Sequence, residues 1–331
     1  MNRMILAMGV PDHLQLKQLK ADQAPAELPG NSGLVTALLP FLKQRGIAVD
    51  LRLLGREGPL DAKGAQGLLN LVCDAGVQRK SLARIAEWEA TGLPVIHSAA
   101  QVAACARDAL PQSLGKLPGL VVPSCSEYPG GEELAAHIKA QGHRLPVLLR
   151  PPGLHSSKEL TRIDQAKALP KQCERRYVTN FVDSRGEDGW YRKRRVIWAG
   201  GKRYARHQLA SPDWNVIGDA RRHMVDAPQL IEEERAFLAS KPDAEPQGPQ
   251  ANIKAAFQHL GLQFGVCDYA CLPNGKALIF ELNPCFQLTG SLPQKSRLDW
   301  RYLEANNGEI LAALLAGIGR QIAARAGTRG N

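Results

Sequence analysis

The stretch "FGVCDYACLPNGKALIFELNP", residues 264–284, constrains this 331-residue chain more tightly than any other. Asn274-Gly275 between two alternating apolar runs is a strong hairpin signal. Counting outward from a two-residue turn pairs Leu272 with Ala277, Cys271 with Leu278, Tyr269 with Phe280 and Asp268 with Glu281. One face of the hairpin (Cys267, Tyr269, Cys271, Leu278, Phe280, Leu282) is then wholly apolar, and its burial fixes the register. The other face sets two carboxylates directly opposite each other, an arrangement that destabilises a strand pair unless something relieves it.

A second hairpin repeats the puzzle with the sign reversed. In "YRKRRVIWAGGKRYARHQLA" the turn falls on Gly200-Gly201, and the same counting places Arg195 opposite Arg206, with Lys193 and Gln208 at the next position on that face. Arg192 and Arg194 go to the other side of the strand. Together the hairpins offer a dicarboxylate, with Asn283 two residues beyond, and a cluster of fixed cations. A metal-bound polyphosphate needs both. Magnesium takes one or two carboxylates plus phosphate oxygens and water, so it cancels the repulsion between Asp268 and Glu281; calcium fits less well. A general acid and base pair for glycoside cleavage needs a sugar cleft rich in aromatics, and aromatics are only 5% of this chain.

The formal net charge of +10 asks for an acidic partner. Its distribution disfavours nucleic acid: there is no basic tail or stripe, and the excess gathers around Arg150, Arg175, Arg176, Arg192 to Arg195 and Lys202 to Arg206. A solvated basic face is the plain alternative for any one of these. No apolar run approaches the roughly 20 residues needed to cross a bilayer, and "MNRMILAMGV" lacks a signal-peptide pattern, so the expected location is cytoplasmic, with no membrane partner. Seven scattered cysteines fit reduced thiols. Cys267 and Cys271, on the buried face, are not expected to bind zinc. Trp190, Trp198 and Trp214 are expected to pack in the core.

Along the chain the first third alternates strand and helix: "RMILAM", "SGLVTALLPFLKQRG", "IAVDLRLL", "GLLNLVCDA", "SLARIAEWEATG" capped by Ser81, and "LPVIH". That pattern predicts an α/β unit with a largely parallel sheet. Residues 99–115 read as helical, followed by strand "GLVVP", helix "GEELAAHIKAQG" and strand "LPVLLR". From 176 to 208 the strands turn antiparallel. Helices 228–240 and 250–261 flank "KPDAEPQGPQ", expected to be a mobile loop, and a last helix carries Ile310, Leu314, Ile318 and Ile322 on one face.

Asp268, Glu281 thirteen residues later and Asn283 in "FELNP" resemble the metal-binding signature of the ATP-grasp superfamily. Upstream, "RVIWAGGKRYARH" resembles that family's strand-turn-strand with its phosphate-binding arginines, "RYVTNFV" its adenine-contacting strand, and "LLRPPGLHSSKEL" its strand and phosphate-covering loop. "NLVCDAG", "GLPVIHSAAQV" and "LPGLVVPSC" are similar to the pre-ATP-grasp domain of proteins linked to tetratricopeptide repeats. The resemblance implies an α/β (α+β ATP-grasp) fold: a pre-ATP-grasp α/β domain over 1–115, a small subdomain over 116–175 and a C-terminal subdomain with the metal site over 176–331. It assigns Mg²⁺ to Asp268, Glu281 and Asn283, and catalysis to Arg195, Arg206 and Lys193. It assigns ATP binding to Arg150, His155, Ser156, Ser157, Thr179, Asn180, Phe181 and Asp183. The chain departs from the pattern in its glycine-poor loop after Arg150, in Arg150 for the usual lysine, and in Val266 where some ligases carry arginine.

The implied reaction is attack of a substrate carboxylate on the γ-phosphate, giving an acylphosphate that an amine displaces, with release of ADP and phosphate. Expected partners are small-molecule or peptide acids and amines, with a homodimer allowed. A small-molecule kinase and a degenerate ATP-binding protein are the alternatives on the same fold; a basic nucleic-acid binder is the alternative outside it. Asp74 and Arg107 are further candidates for contact with substrate.

Overall fold

The computed structural model describes residues 3–12, 32–54, 62–153, 159–240, 248–286, 288, 301–304 and 306–327. Its first sheet is parallel throughout, in the order β2-β1-β3-β4, built from β1 (Arg3–Met8), β2 (Ala48–Leu53), β3 (Ala65–Leu71) and β4 (Val95–Ile96). Helices α1 (Ser32–Gln44) and α2 (Arg79–Ala90) make the crossovers, and the short α3 (Ala99–Ala104) and α4 (Leu110–Leu114) lead out. Ser81 does not cap α2. Its hydroxyl is buried inside the helix and accepts from Val10 N at 3.0 Å, tying the end of β1 to α2. Gln78 holds the cap position, and its Oε1 accepts the N–H groups of Cys73 (3.0 Å) and Asp74 (3.2 Å).

A five-stranded sheet, order β11-β10-β12-β13-β5, and a four-stranded antiparallel sheet, order β6-β9-β7-β8, follow. The larger comprises β5 (Leu120–Val121), β10 (Tyr191–Ala199), β11 (Lys202–Ser211), β12 (Phe264–Cys271) and β13 (Ala277–Asn283). The smaller comprises β6 (Cys125–Tyr128), β7 (Val147–Arg150), β8 (Thr161–Ile163) and β9 (Arg176–Asn180), with α5 (Leu134–Ala140) packed on one face. Strands β6 and β8 carry too little apolar alternation to have been expected. Helices α6 (Arg221–Met224), α7 (Pro228–Ala239) and α8 (Pro249–His259) cover the larger sheet. The loop expected after α7 falls largely on 241–247, outside the described residues.

The last helix, α9 (Asn307–Gly327), buries Ile310, Leu314 and Ile318 against Ile197, Tyr204, Phe264 and Val266, in a core shared with β1 and α1. Each such aliphatic side chain contributes roughly 1.5–3 kcal/mol by leaving water. The β10–β11 turn fits under α9 because Gly200 and Gly201 adopt φ of +60° and +86°, and a Cβ on Gly200 would come within 2.5 Å of the Ala313 carbonyl oxygen.

Both hairpins contain a bulge that the counting did not foresee. Between β12 and β13 the loop is Pro273-Asn274-Gly275, closed by Gly275 N to Leu272 O and Leu272 N to Lys276 O, both 2.9 Å. This slips the register by one, pairing Cys271 with Ala277. Phe280 is then an extra residue that slips it back, so Asp268 does oppose Glu281. Phe280 consequently leaves the buried face, where Ile279 and Ala277 sit instead, and is 39% exposed. Between β10 and β11 the bulged residue is Arg206. Arg195 therefore faces His207, not Arg206, and Lys193 faces Leu209, not Gln208.

Candidate active site

The bulge at Arg206 and the bulge at Phe280 together align one rung across four strands: His207 on β11, Arg195 on β10, Asp268 on β12 and Glu281 on β13. Arg195 grips Asp268 with two bonds, Nε to Oδ1 at 2.6 Å and Nη2 to Oδ2 at 2.7 Å, and its Nη2 lies 3.7 Å from Glu281 Oε1. The far side of Glu281 is held by Arg107, Nη2 to Oε2 at 2.6 Å. The opposed carboxylates are thus neutralised by an arginine apiece. Burial raises the pKa of Asp268, but the charge of Arg195 and its paired hydrogen bonds outweigh this and hold the carboxyl well below 3.8.

The rung forms one wall of a cleft of about 190 Å³ between the two later sheets. Four cations, Arg107, Arg150, Lys193 and Arg195, line it against two carboxylates, Asp268 and Glu281. Burial and the neighbouring Arg107 bring Arg150 down to about 10; burial likewise lowers Lys193, with Asp268 opposing. Asn283 shares the face of Glu281, two residues on, and also lines the cleft. Thr179, Asn180 and Phe181 line the opposite wall with Tyr177. The Phe181 ring lies 4.0 Å under the Arg162 guanidinium and 5.9 Å edge-on from Trp214.

Other expected residues lie apart from the rung. Arg206 is buried and donates to the Leu288 carbonyl at 3.3 Å and to the Leu303 carbonyl. Asp183 is exposed and caps the Arg185 N–H at 3.0 Å, while its neighbours Val182 and Ser184 line the cleft. His155, Ser156 and Ser157 fall outside the described residues. Arg192 bonds Asp188 and Glu233, and Arg194 bonds Gln208, so both leave the Lys193 and Arg195 face as counted.

Phe280 and Arg107 take places the sequence did not give them, whereas the tryptophans pack as expected. Trp214 packs against the core between β11, α6 and α7 and also lines the cleft, and Trp198 is buried, stacked on Phe257 at 5.6 Å. Phe280 lines the cleft because of its bulge. Arg107, a candidate for substrate contact, reaches Glu281 from 174 residues away, between α3 and α4, and no local pattern marks that pairing.

Two carboxylates and a carboxamide on neighbouring strand positions are hard oxygen donors that suit Mg²⁺. Among the described residues no group of three or more His, Cys, Asp or Glu gathers to hold a metal. A cation at this rung therefore needs Asn283 and oxygens from outside the protein to complete its shell, and the surplus of cations suits phosphate as their source. No helix among the described residues is long and apolar enough to cross a membrane.

A parallel α/β unit followed by two sheets that face each other across a cleft with charged side chains is the architecture of the solved structures that this chain resembles. The chain has the ATP-grasp fold. It is similar over almost its whole length to the RimK domain ATP-grasp protein of Sphaerobacter thermophilus (16% identity, TM-score 0.52, covering 95% of this chain and 99% of that one). It is likewise similar to the D-alanine–D-alanine ligase of Bacillus anthracis complexed with ATP (13% identity, TM-score 0.54, 98% and 99% covered). A third similar structure is the D-alanine–D-alanine ligase of Coxiella burnetii (11% identity, TM-score 0.53, 100% and 98% covered). No protein-family model and no curated protein matches the chain by sequence.

Proposed function

We propose that the cleft binds Mg-ATP and that the chain is an ADP-forming ligase, activating a small-molecule or peptide carboxylate for attack by an amine. The observation that carries this reading is the charge inventory of the cleft: four cations against two carboxylates, with both carboxylates on the rung of Arg195. Charges withdrawn from water are costly unless matched, and charge-assisted bonds to phosphate match arginines best. The likeness to two D-alanine–D-alanine ligases supports a ligase over a kinase.

In this reading Asp268, Glu281 and Asn283 hold Mg²⁺. Arg195 and Arg107, which now neutralise the carboxylates, turn to phosphate oxygens, joined by Lys193 and Arg150. The strand end from Thr179 to Phe181 meets the adenine base, and the exposed ring of Phe280 offers it a stacking face. His155, Ser156 and Ser157 cover the phosphates, and Asp183 serves the ribose, on the strength of the motif resemblance alone. Arg206 ties β11 to the carbonyls of Leu288 and Leu303 and acts on the site only indirectly.

When bound, Mg-ATP supplies the phosphoryl group that converts the substrate carboxylate to an acylphosphate open to an amine. The chain itself contributes charge stabilisation and alignment, the main requirements of phosphoryl transfer. The division at residues 115 and 175 and a cytoplasmic location belong to the same proposal.

The test is a panel of small carboxylic acids incubated with Mg-ATP and hydroxylamine. A hydroxamate should accumulate in step with ADP and phosphate for the correct acid, because the acylphosphate carbonyl is open to a small nucleophile. AMP with pyrophosphate, or a stable phosphorylated alcohol, would exclude the ligase reading; the latter would establish a kinase.

A further inference from the structure

Behind β9, on the side away from the cleft, five side chains form one hydrogen-bonded series that the reaction does not use. Asn180 ends the strand and lines the cleft, but alternation sends its side chain to the face opposite Thr179. There His143 Nδ1 lies 2.8 Å from Asn180 Oδ1. The backbone N–H of Arg144 points at the same oxygen, at 3.4 Å. A backbone N–H only donates, so Oδ1 is the acceptor and His143 Nδ1 carries a proton. Neutral His143 then presents a lone pair at Nε2, 2.7 Å from Ser126 Oγ, and Ser126 donates its single proton there. Ser126 Oγ accepts in turn from His137 Nε2 at 3.0 Å, and Glu132 Oε1 sits 3.2 Å from His137 Nδ1.

We propose that His143 is a positioning residue for nucleotide: it clamps Asn180 from behind and so sets the strand end, Thr179 to Phe181, against the base. The inference rests on the reading of the cleft as a nucleotide site. Both histidines are 7% exposed. Burial chiefly holds His143 below 6.5, the bond to Asn180 opposes, and His137 adds to the lowering.

A proton arriving at His143 Nε2 removes the lone pair that Ser126 serves and aims two N–H donors at one hydroxyl. The groups that face His143 are His137 from α5, Ser126 from β6 and Asn180 from β9; Glu132, the carboxylate of the series, lies against His137 instead. Neutral and protonated His143 both keep the Nδ1–H that donates to Asn180, so the clamp holds on both sides of this titration and only the direction of the Ser126 bond changes.

Mg-ADP binding by calorimetry on the full chain at about pH 7.5 and about pH 5.5 tests this, with folding checked by circular dichroism. His143→Leu should bind about fivefold more weakly than the parent at the higher pH, the effect of one lost hydrogen bond. His143→Asn keeps a donor at the Nδ1 position, so it should bind within about twofold of the parent at both pH values. If His143→Leu does not fold, His143→Ala replaces it with the same expected loss. Equal affinities for all proteins at both pH values would overturn the clamp and leave the nucleotide reading standing. A parent that binds no Mg-ADP at either pH would overturn the nucleotide reading and the clamp together.

Discussion

If the proposed function holds, Asp268→Asn and Glu281→Gln should each lower Mg-ATP-dependent turnover by at least about a thousandfold, because each would remove a charged ligand from the proposed cation. The measurement is ADP release at saturating ATP. The stability of the two variants separates an active-site effect from a folding one. Sequence alone suggests that either change relieves repulsion and stabilises the metal-free chain. The structure reverses this for Asp268, whose two bonds to Arg195 already settle its charge. Asp268→Asn should cost about 1–3 kcal/mol in urea unfolding, the penalty for a buried partner left short of a charge-assisted bond. Since Asp268 is held below 3.8 in the fold, its contribution is full above that value and is lost as pH falls through the folded pKa.

Arg195→Ala should lower kcat by about 100- to 1000-fold, the usual loss when a fixed donor to developing charge is removed. It should also destabilise the chain by about 3 kcal/mol, since Asp268 is 3% exposed and loses its main counter-charge. Arg192→Ala and Arg194→Ala, whose side chains bond Glu233 and Gln208 on the other side of β10, should stay within about threefold of the parent in kcat. Equal modest losses from all three would mean a diffuse basic surface and no phosphate site.

The opposition of Asp268 and Glu281 was legible because two errors of one residue cancel. A three-residue loop shifts the strands one way and the Phe280 bulge shifts them back. The loop had a signal: Pro273 favours the second position of a type I turn, and Gly275 the left-handed residue after it. The bulges had none, since neither Phe280 nor Arg206 is a residue type that marks irregular strand. Unbulged counting therefore puts Arg206 on the rung that His207 occupies.

Residues brought in from afar were the least legible. Arg107 and Glu281 are 174 residues apart, and Ser126, His137 and His143 meet Asn180 only because α5 folds back on β9. Periodicity reports which face of an element is buried, and the parallel order of the first sheet and the core face of α9 followed from it. It does not report which polar side chains two distant elements will bring together.

The central claim is that one metal ion and a nucleotide share the rung of Asp268 and Glu281. A crystal of the chain grown with Mn²⁺ and a non-hydrolysable ATP analogue tests it through anomalous scattering from manganese. The account predicts a manganese peak bounded by Asp268, Glu281 and Asn283, with the Arg195 guanidinium withdrawn from Asp268 onto a phosphate oxygen. A nucleotide bound elsewhere, or one in the cleft with no manganese at the rung and Arg195 still gripping Asp268 with both bonds, would contradict it.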